Sequence, residues 1–121
     1  MAKHVLVVDD HPLLRDVQVL LLQEAGYAAT ALSGAREALA RLPDLRPDLI
    51  VLDLSMPDMN GYQFLRRLRA DEVFGELPVI VATGLTAEEM SSIVERGCAL
   101  LAKPFTDVAL LSSVRRLIGD A

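Results

Sequence analysis

The sequence predicts an α/β fold: a doubly wound, five-stranded parallel sheet with helices on both faces. Three observations lead there. Short apolar runs rich in Val, Leu and Ile alternate five times with segments of helical period. Turn and capping residues fall at the joints between them. Finally, Asp9, Asp10 and Asp53 close two of the apolar runs, and in open parallel sheets polar functional groups gather at the carboxyl ends of strands.

The strand runs are 5–8, 27–31, 49–52, 78–82 and 98–102. Each is four to five residues long and continuously apolar or nearly so, as expected of strands covered on both faces. The helical segments are 12–25, 34–42, 61–73, 87–96 and 107–118. Pro12 suits the first position of the first helix, and Gly26 its C′ position. Gly97 ends the fourth segment in the same way, and Thr86 with Glu89 forms a capping box at its start. Thr106 caps the last helix. Pro57 stiffens the loop after Asp53, and Gly61 lets the backbone turn into the third helix. In the first helix, at about 100° per residue, Leu14, Val17, Leu21 and Ala25 form one stripe, expected to face the core. Leu13 and Leu20 flank it and Val19 points nearly opposite, so the solvent side is more apolar than a surface helix requires.

Right-handed crossovers leave few ways to connect five such units. The order 2-1-3-4-5, flavodoxin-like, sets strands 1 and 3 side by side and opens a crevice at their carboxyl ends. The 121 residues are expected to form one domain, 1–121, with no second domain. No apolar run approaches the roughly 20 residues of a membrane span, and the N-terminal residues carry no signal-peptide core. A formal charge of −5 argues against direct contact with nucleic acid. The single cysteine, Cys98, excludes an internal disulfide, fits a reducing cytoplasm, and reads as a small buried hydrophobe.

Every strand near the crevice delivers a polar group to one rim: Asp9 and Asp10 from strand 1, Asp53 from strand 3, Thr83 from strand 4 and Lys103 from strand 5. Asp10 and Asp53 are hard oxygen ligands suited to Mg²⁺, with Asp9 holding a ligand water. The Lys103 ammonium and the Thr83 hydroxyl add donors for phosphoryl oxygens. Asp53, central among them, is the natural nucleophile for an aspartyl phosphate. His11 reads as an exposed loop residue near this rim, and His4 as structural.

Four motifs in this order resemble the receiver domain of two-component response regulators over essentially the whole chain. They are Val7-Val8-Asp9-Asp10, the run from Asp53 to Gly61 (DLSMPDMNG), Ala82-Thr83-Gly84, and Lys103-Pro104-Phe105. The resemblance implies that Asp53 accepts a phosphoryl group from a phosphohistidine on a histidine kinase or histidine phosphotransfer protein. It implies Mg²⁺, replaceable by Mn²⁺, held by Asp10, Asp53 and the backbone carbonyl of Ser55, with Asp9 acting through water. It implies that Thr83 and Lys103 contact the phosphoryl group and that the Lys103–Pro104 peptide is cis, a geometry found in only about 5–6% of X–Pro bonds. It also implies a protein that is monomeric when unphosphorylated, in the cytoplasm, with Leu13, Val19 and Leu20 as docking positions for the partner's helix bundle. Phosphorylation is expected to bias the surface formed by the fourth helix, fifth strand and fifth helix.

One position departs from the pattern. Three residues before the lysine the family usually carries an aromatic residue; here it is Leu100, which has no ring to swing when Thr83 moves. That favours a free-standing regulator or relay, with a receiver segment of a hybrid histidine kinase or of a transcription factor as the alternative. Two other classes are disfavoured. An aspartate-nucleophile phosphohydrolase needs a second acid two residues after the nucleophile, where Ser55 stands. A flavin carrier needs a hydroxyl-rich loop after strand 1, where Asp9-Asp10-His11 would repel the flavin phosphate.

Overall fold

The computed structural model describes residues 2–53, 59, 61–83 and 98–121, with Thr83 described by its backbone alone. The strands are β1 (His4–Val8), β2 (Ala28–Leu32), β3 (Leu49–Asp53), β4 (Val79–Thr83) and β5 (Ala99–Ala102). The described helices are α1 (Pro12–Glu24), α2 (Ala35–Leu45), α3 (Gly61–Arg69) and α4 (Asp107–Ile118). All strand pairs are parallel and the sheet order is β2-β1-β3-β4-β5, as the sequence predicts. The helical segment expected at 87–96, its capping box and Gly97 lie outside the described residues, as do Ser55 and Pro57.

Alternation along the strands divides the core into two layers. Leu6, Val8, Ile50, Leu52, Val79 and Val81 point to one side and meet α2 and α3 through Ala38, Leu42, Phe64, Leu65 and Leu68. Val5, Val7, Leu49, Val51 and Ile80 point to the other, where α1 and α4 contribute Leu22, Leu110 and Val114. A strand covered on both faces cannot show hydrophobic–polar alternation, which is why these strands read as unbroken apolar runs.

Element ends shift for local reasons. His11 is the N-cap of α1, its Nδ1 accepting from the Leu14 amide at 3.3 Å ahead of Pro12. Gly26 follows the helix at φ 97, a conformation glycine adopts without strain. Thr106 Oγ1 accepts from the Ala109 amide at 3.1 Å, the cap expected for the last helix. Helix α2 runs past Pro43 to Leu45, because Leu42 is buried and Leu45 packs against the first core layer, holding the last turn down. Helix α3 stops at Arg69 instead of continuing to 73. There Asp71 Oδ1 accepts from the amides of Val73 and Phe74 at 2.8 and 2.9 Å, a local turn that competes with helix.

The phase of α1 is the main correction. Its buried residues are Gln18 and Leu22, whereas Leu14 and Val17 are 41% and 43% exposed, so the stripe expected to face the core is turned outward at its N-terminal half. Val19, expected to point away from the core, is half-buried and packs against the second core layer. With apolar residues all round the helix, periodicity carries no phase. The observed phase is the one that buries Leu22 and brings Gln18 and Arg15 to Asp9.

Candidate functional site

Strand register assembles the site. The last registered pair of β1 and β3 is Val8 with Leu52, and one step beyond come Asp9 and Asp53. Across the next two strands Asp53 pairs with Ala82 and Ala82 with Leu101. Thr83 pairs with Ala102, so Thr83 and Lys103 follow one and two steps past the Asp53 row. Parallel strands all end on the same edge, and these residues therefore share it.

Carboxylate oxygens of Asp9, Asp10 and Asp53 lie within 4.8 Å of one another, with Asp9 and Asp53 buried and Asp10 exposed. The Lys103 ammonium stands 3.4 Å from Asp53 Oδ1. The Lys103–Pro104 peptide is cis. Three carboxylates against one ammonium leave two negative charges (−3 + 1) at the sheet edge, two of the acids buried and Asp10 open to solvent. Like charges about 4 Å apart repel by about 4 kcal/mol at an effective dielectric of ~20. A small divalent cation with a preference for hard oxygen matches both the charge deficit and the donor type.

Asp9 is held at both of its carboxylate oxygens. Its Oδ1 accepts from the His11 amide at 2.9 Å, and its Oδ2 from Gln18 Nε2 at 3.3 Å. Arg15 Nη1 donates to its backbone carbonyl at 3.1 Å. Sequence reasoning missed Gln18, Arg15 and the capping role of His11. The one available signal was a polar Gln within an otherwise apolar helix register. His4 is structural as expected, its ring joining the Leu45 carbonyl and the Thr30 hydroxyl. Cys98 is buried, 3.7 Å from the Arg69 guanidinium.

The remaining candidates divide. The Ser55 carbonyl and the Thr83 hydroxyl lie outside the described residues. Leu100 is half-buried and packs on the first core layer beside β4. Leu13 and Leu20 are 66% and 55% exposed, and with Leu14 and Val17 they form a continuous outward apolar face on α1; Val19 does not belong to it. That face borders a cavity of about 360 Å³ between α1 and the segment Pro104-Phe105, with Lys103 at its edge.

Comparison with known proteins agrees with this geometry. Residues 5–115 match the family described as response regulator receiver domain. Response regulator Rre1 of Synechocystis sp. is 37% identical over 118 residues, covering 94% of this chain and 51% of that protein. The chain spans about half the length of the first curated relatives it matches. Chemotaxis protein CheY4 of Vibrio cholerae superposes with a TM-score of 0.90 at 32% identity, covering 98% of this chain and 100% of that one. The signal receiver domain of a histidine kinase from Syntrophus aciditrophicus superposes with a TM-score of 0.88 at 35% identity, covering 97% and 90%. With its acidic cluster, opposed lysine and 2-1-3-4-5 sheet, the chain belongs to the response regulator receiver family of two-component signalling.

Proposed function

We propose that this domain accepts a phosphoryl group on Asp53 from a phosphohistidine of a histidine kinase or histidine phosphotransfer protein. The observation that carries the proposal is the Lys103–Asp53 ion pair at 3.4 Å beside the Asp9–Asp10–Asp53 cluster. Asp10, Asp53 and the Ser55 carbonyl hold Mg²⁺, with Asp9 assisting through water. When bound, the cation offsets the negative charge of the incoming phosphoryl oxygens.

The protein's own groups do the rest. Lys103 orients the Asp53 carboxylate through Oδ1, and a carboxylate oxygen of Asp53 attacks phosphorus. The new P–O bond forms as the donor's P–N bond breaks, and the electron pair returns to the donor imidazole. The product replaces one carboxylate charge with roughly two and adds several strong acceptors. Thr83 and Lys103 then contact the phosphoryl group, and the shift of Thr83 biases the chain that follows β4. Leu100 has no ring to follow that shift, which favours relay or adaptor output. The outward face of α1 (Leu13, Leu14, Val17, Leu20) receives the partner's phosphohistidine-bearing helices, because it is apolar and borders the site. The domain acts in the cytoplasm as a monomer until phosphorylated, and it catalyses only its own phosphorylation and dephosphorylation. No described helix is long and apolar enough to cross a membrane.

Incubation with Mg²⁺ and acetyl phosphate tests this directly. The expected result is one hydroxylamine-sensitive phosphoryl adduct, absent in Asp53→Asn and absent with EDTA. Steady turnover of a phosphomonoester without a stable adduct would overturn the reading in favour of a hydrolase.

A further inference from the structure

Among the described residues around the site, the buried amide of Gln18 is used by neither the packing nor the phosphoryl chemistry above. Its side chain is 3% exposed, on a helix face otherwise committed to the apolar second core layer through Leu22. An amide there loses its hydration and gains only what its hydrogen bonds return. A leucine or methionine would fill the position with no such loss.

The bonds identify what the amide is for. Gln18 Nε2 donates to the Leu14 carbonyl at 3.1 Å and to Asp9 Oδ2 at 3.3 Å. Both partners are pure acceptors, so the NH₂ end must face them; a flipped amide would set Oε1 against a carboxylate and a carbonyl. Gln18 Oε1 accepts from no described residue. The Leu14 carbonyl is within a helix and has a backbone N–H partner four residues on, so it does not require the amide. Asp9 does. It is 2% exposed, and its two oxygens accept one from each of two elements, Oδ2 from Gln18 on α1 and Oδ1 from the His11 amide in the loop after β1. Bound at both oxygens, the carboxylate is restrained from rotating while it stays within 4.8 Å of the oxygens of Asp10 and Asp53.

We propose that Gln18 is a positioning residue for the acidic site: it fixes the Asp9 carboxylate in the orientation from which Asp9 serves a divalent cation. This rests on the Mg²⁺ reading above. Partners that orient metal-site groups typically matter by 10–100-fold in metal affinity. Gln18 acts through a residue that itself assists through water, so the expected effect is at the lower end, about tenfold.

The test is calorimetric titration of Mg²⁺ into the unphosphorylated wild type, Gln18→Met, Gln18→Leu, Asp9→Asn and the Asp9→Asn/Gln18→Met double variant, with thermal midpoints in EDTA for each. The expected result is Mg²⁺ binding weakened about tenfold in Gln18→Met and Gln18→Leu, with midpoints unchanged or raised. In the Asp9→Asn background, Gln18→Met should add nothing, because the group it positions is gone. Unchanged Mg²⁺ affinity in both single variants overturns the proposal. So does an equal loss in the Asp9→Asn background, or a loss that follows a lowered midpoint in both, since each marks a general structural role. No Mg²⁺ binding by the wild type overturns the metal reading itself, and the proposal with it.

Discussion

The two faces of the sheet are built differently. Over α2 and α3 the core is closed: Phe64, Leu65 and Leu68 interlock with Ala38 and Leu42, and the outward positions Arg36, Glu37, Arg41, Arg66 and Arg67 are charged and exposed. Over α1 and α4 the core contains the polar Gln18 and is edged by a cavity, and the outward positions Leu13, Leu14, Val17, Leu20 and Val108 are apolar. Burial of apolar area drives folding in proportion to the area removed from water. On that measure the first face is expected to carry more of the stability, while the second buries a polar amide against Asp9 and leaves apolar side chains in water. The difference places the Gln18 contact with Asp9 and the exposed apolar positions of α1 on the same, less completely packed face of the sheet.

Truncation inside the closed face should do the most damage. Phe64→Ala is expected to cost about 3–5 kcal/mol in urea denaturation, through lost transfer energy and a cavity that interlocked neighbours cannot fill. If it costs under about 1 kcal/mol, the contrast between the faces is wrong. On the open face the effects should separate. Leu13→Ser, Val17→Ser and Leu20→Ser, made singly and then joined in one triple variant, should each change stability by no more than about 0.5 kcal/mol. The same triple variant should slow phosphotransfer from a phosphohistidine protein that labels the wild type by about tenfold, which is about 1.4 kcal/mol. Labelling by acetyl phosphate should stay at the wild-type rate. Equal slowing with both donors would assign the face to stability or to the acidic site rather than to docking.

The smallest effect belongs to the seam where α4 closes on β2. Tyr27 is buried and its hydroxyl donates to the Gly119 carbonyl at 2.6 Å. Burial raises its phenol above the usual value of about 10; Arg115 pulls it down and Asp120 pushes it up. The folded state thus binds this proton more tightly than the unfolded chain. Its contribution is complete below pH about 10 and is lost as pH rises through the raised value. Tyr27→Phe should lower stability at neutral pH by about 1 kcal/mol, the usual net worth of one hydrogen bond, and should flatten the alkaline limb of the stability–pH curve, both read by thermal melts. An unchanged alkaline limb would remove Tyr27 as its cause.

Most of the architecture was legible because it depends on near neighbours and simple periods. Apolar runs, Pro12, Gly26 and Thr106 mark where strands and helices begin and stop. Crossover handedness then leaves few strand orders, the observed one among them, and parallel strands deliver Asp9, Asp10, Asp53 and Lys103 to one edge. The rotation of α1 was not legible, because Leu and Val on every side leave its hydrophobic period without a phase. Nor was the end of α3, where a single Asp71 side chain outcompetes the helix.

Chain order and residue chemistry alone set the class of fold, the convergence of the acids with Lys103, and the kind of ligand such charges attract. Folding in three dimensions decided which side of α1 is buried, that Gln18 rather than a leucine touches Asp9, and that Val19 packs inward while Val17 does not. The reason is physical. Backbone periods are encoded locally, but the orientation of a helix about its own axis is settled by contacts between residues that are remote until the chain has packed.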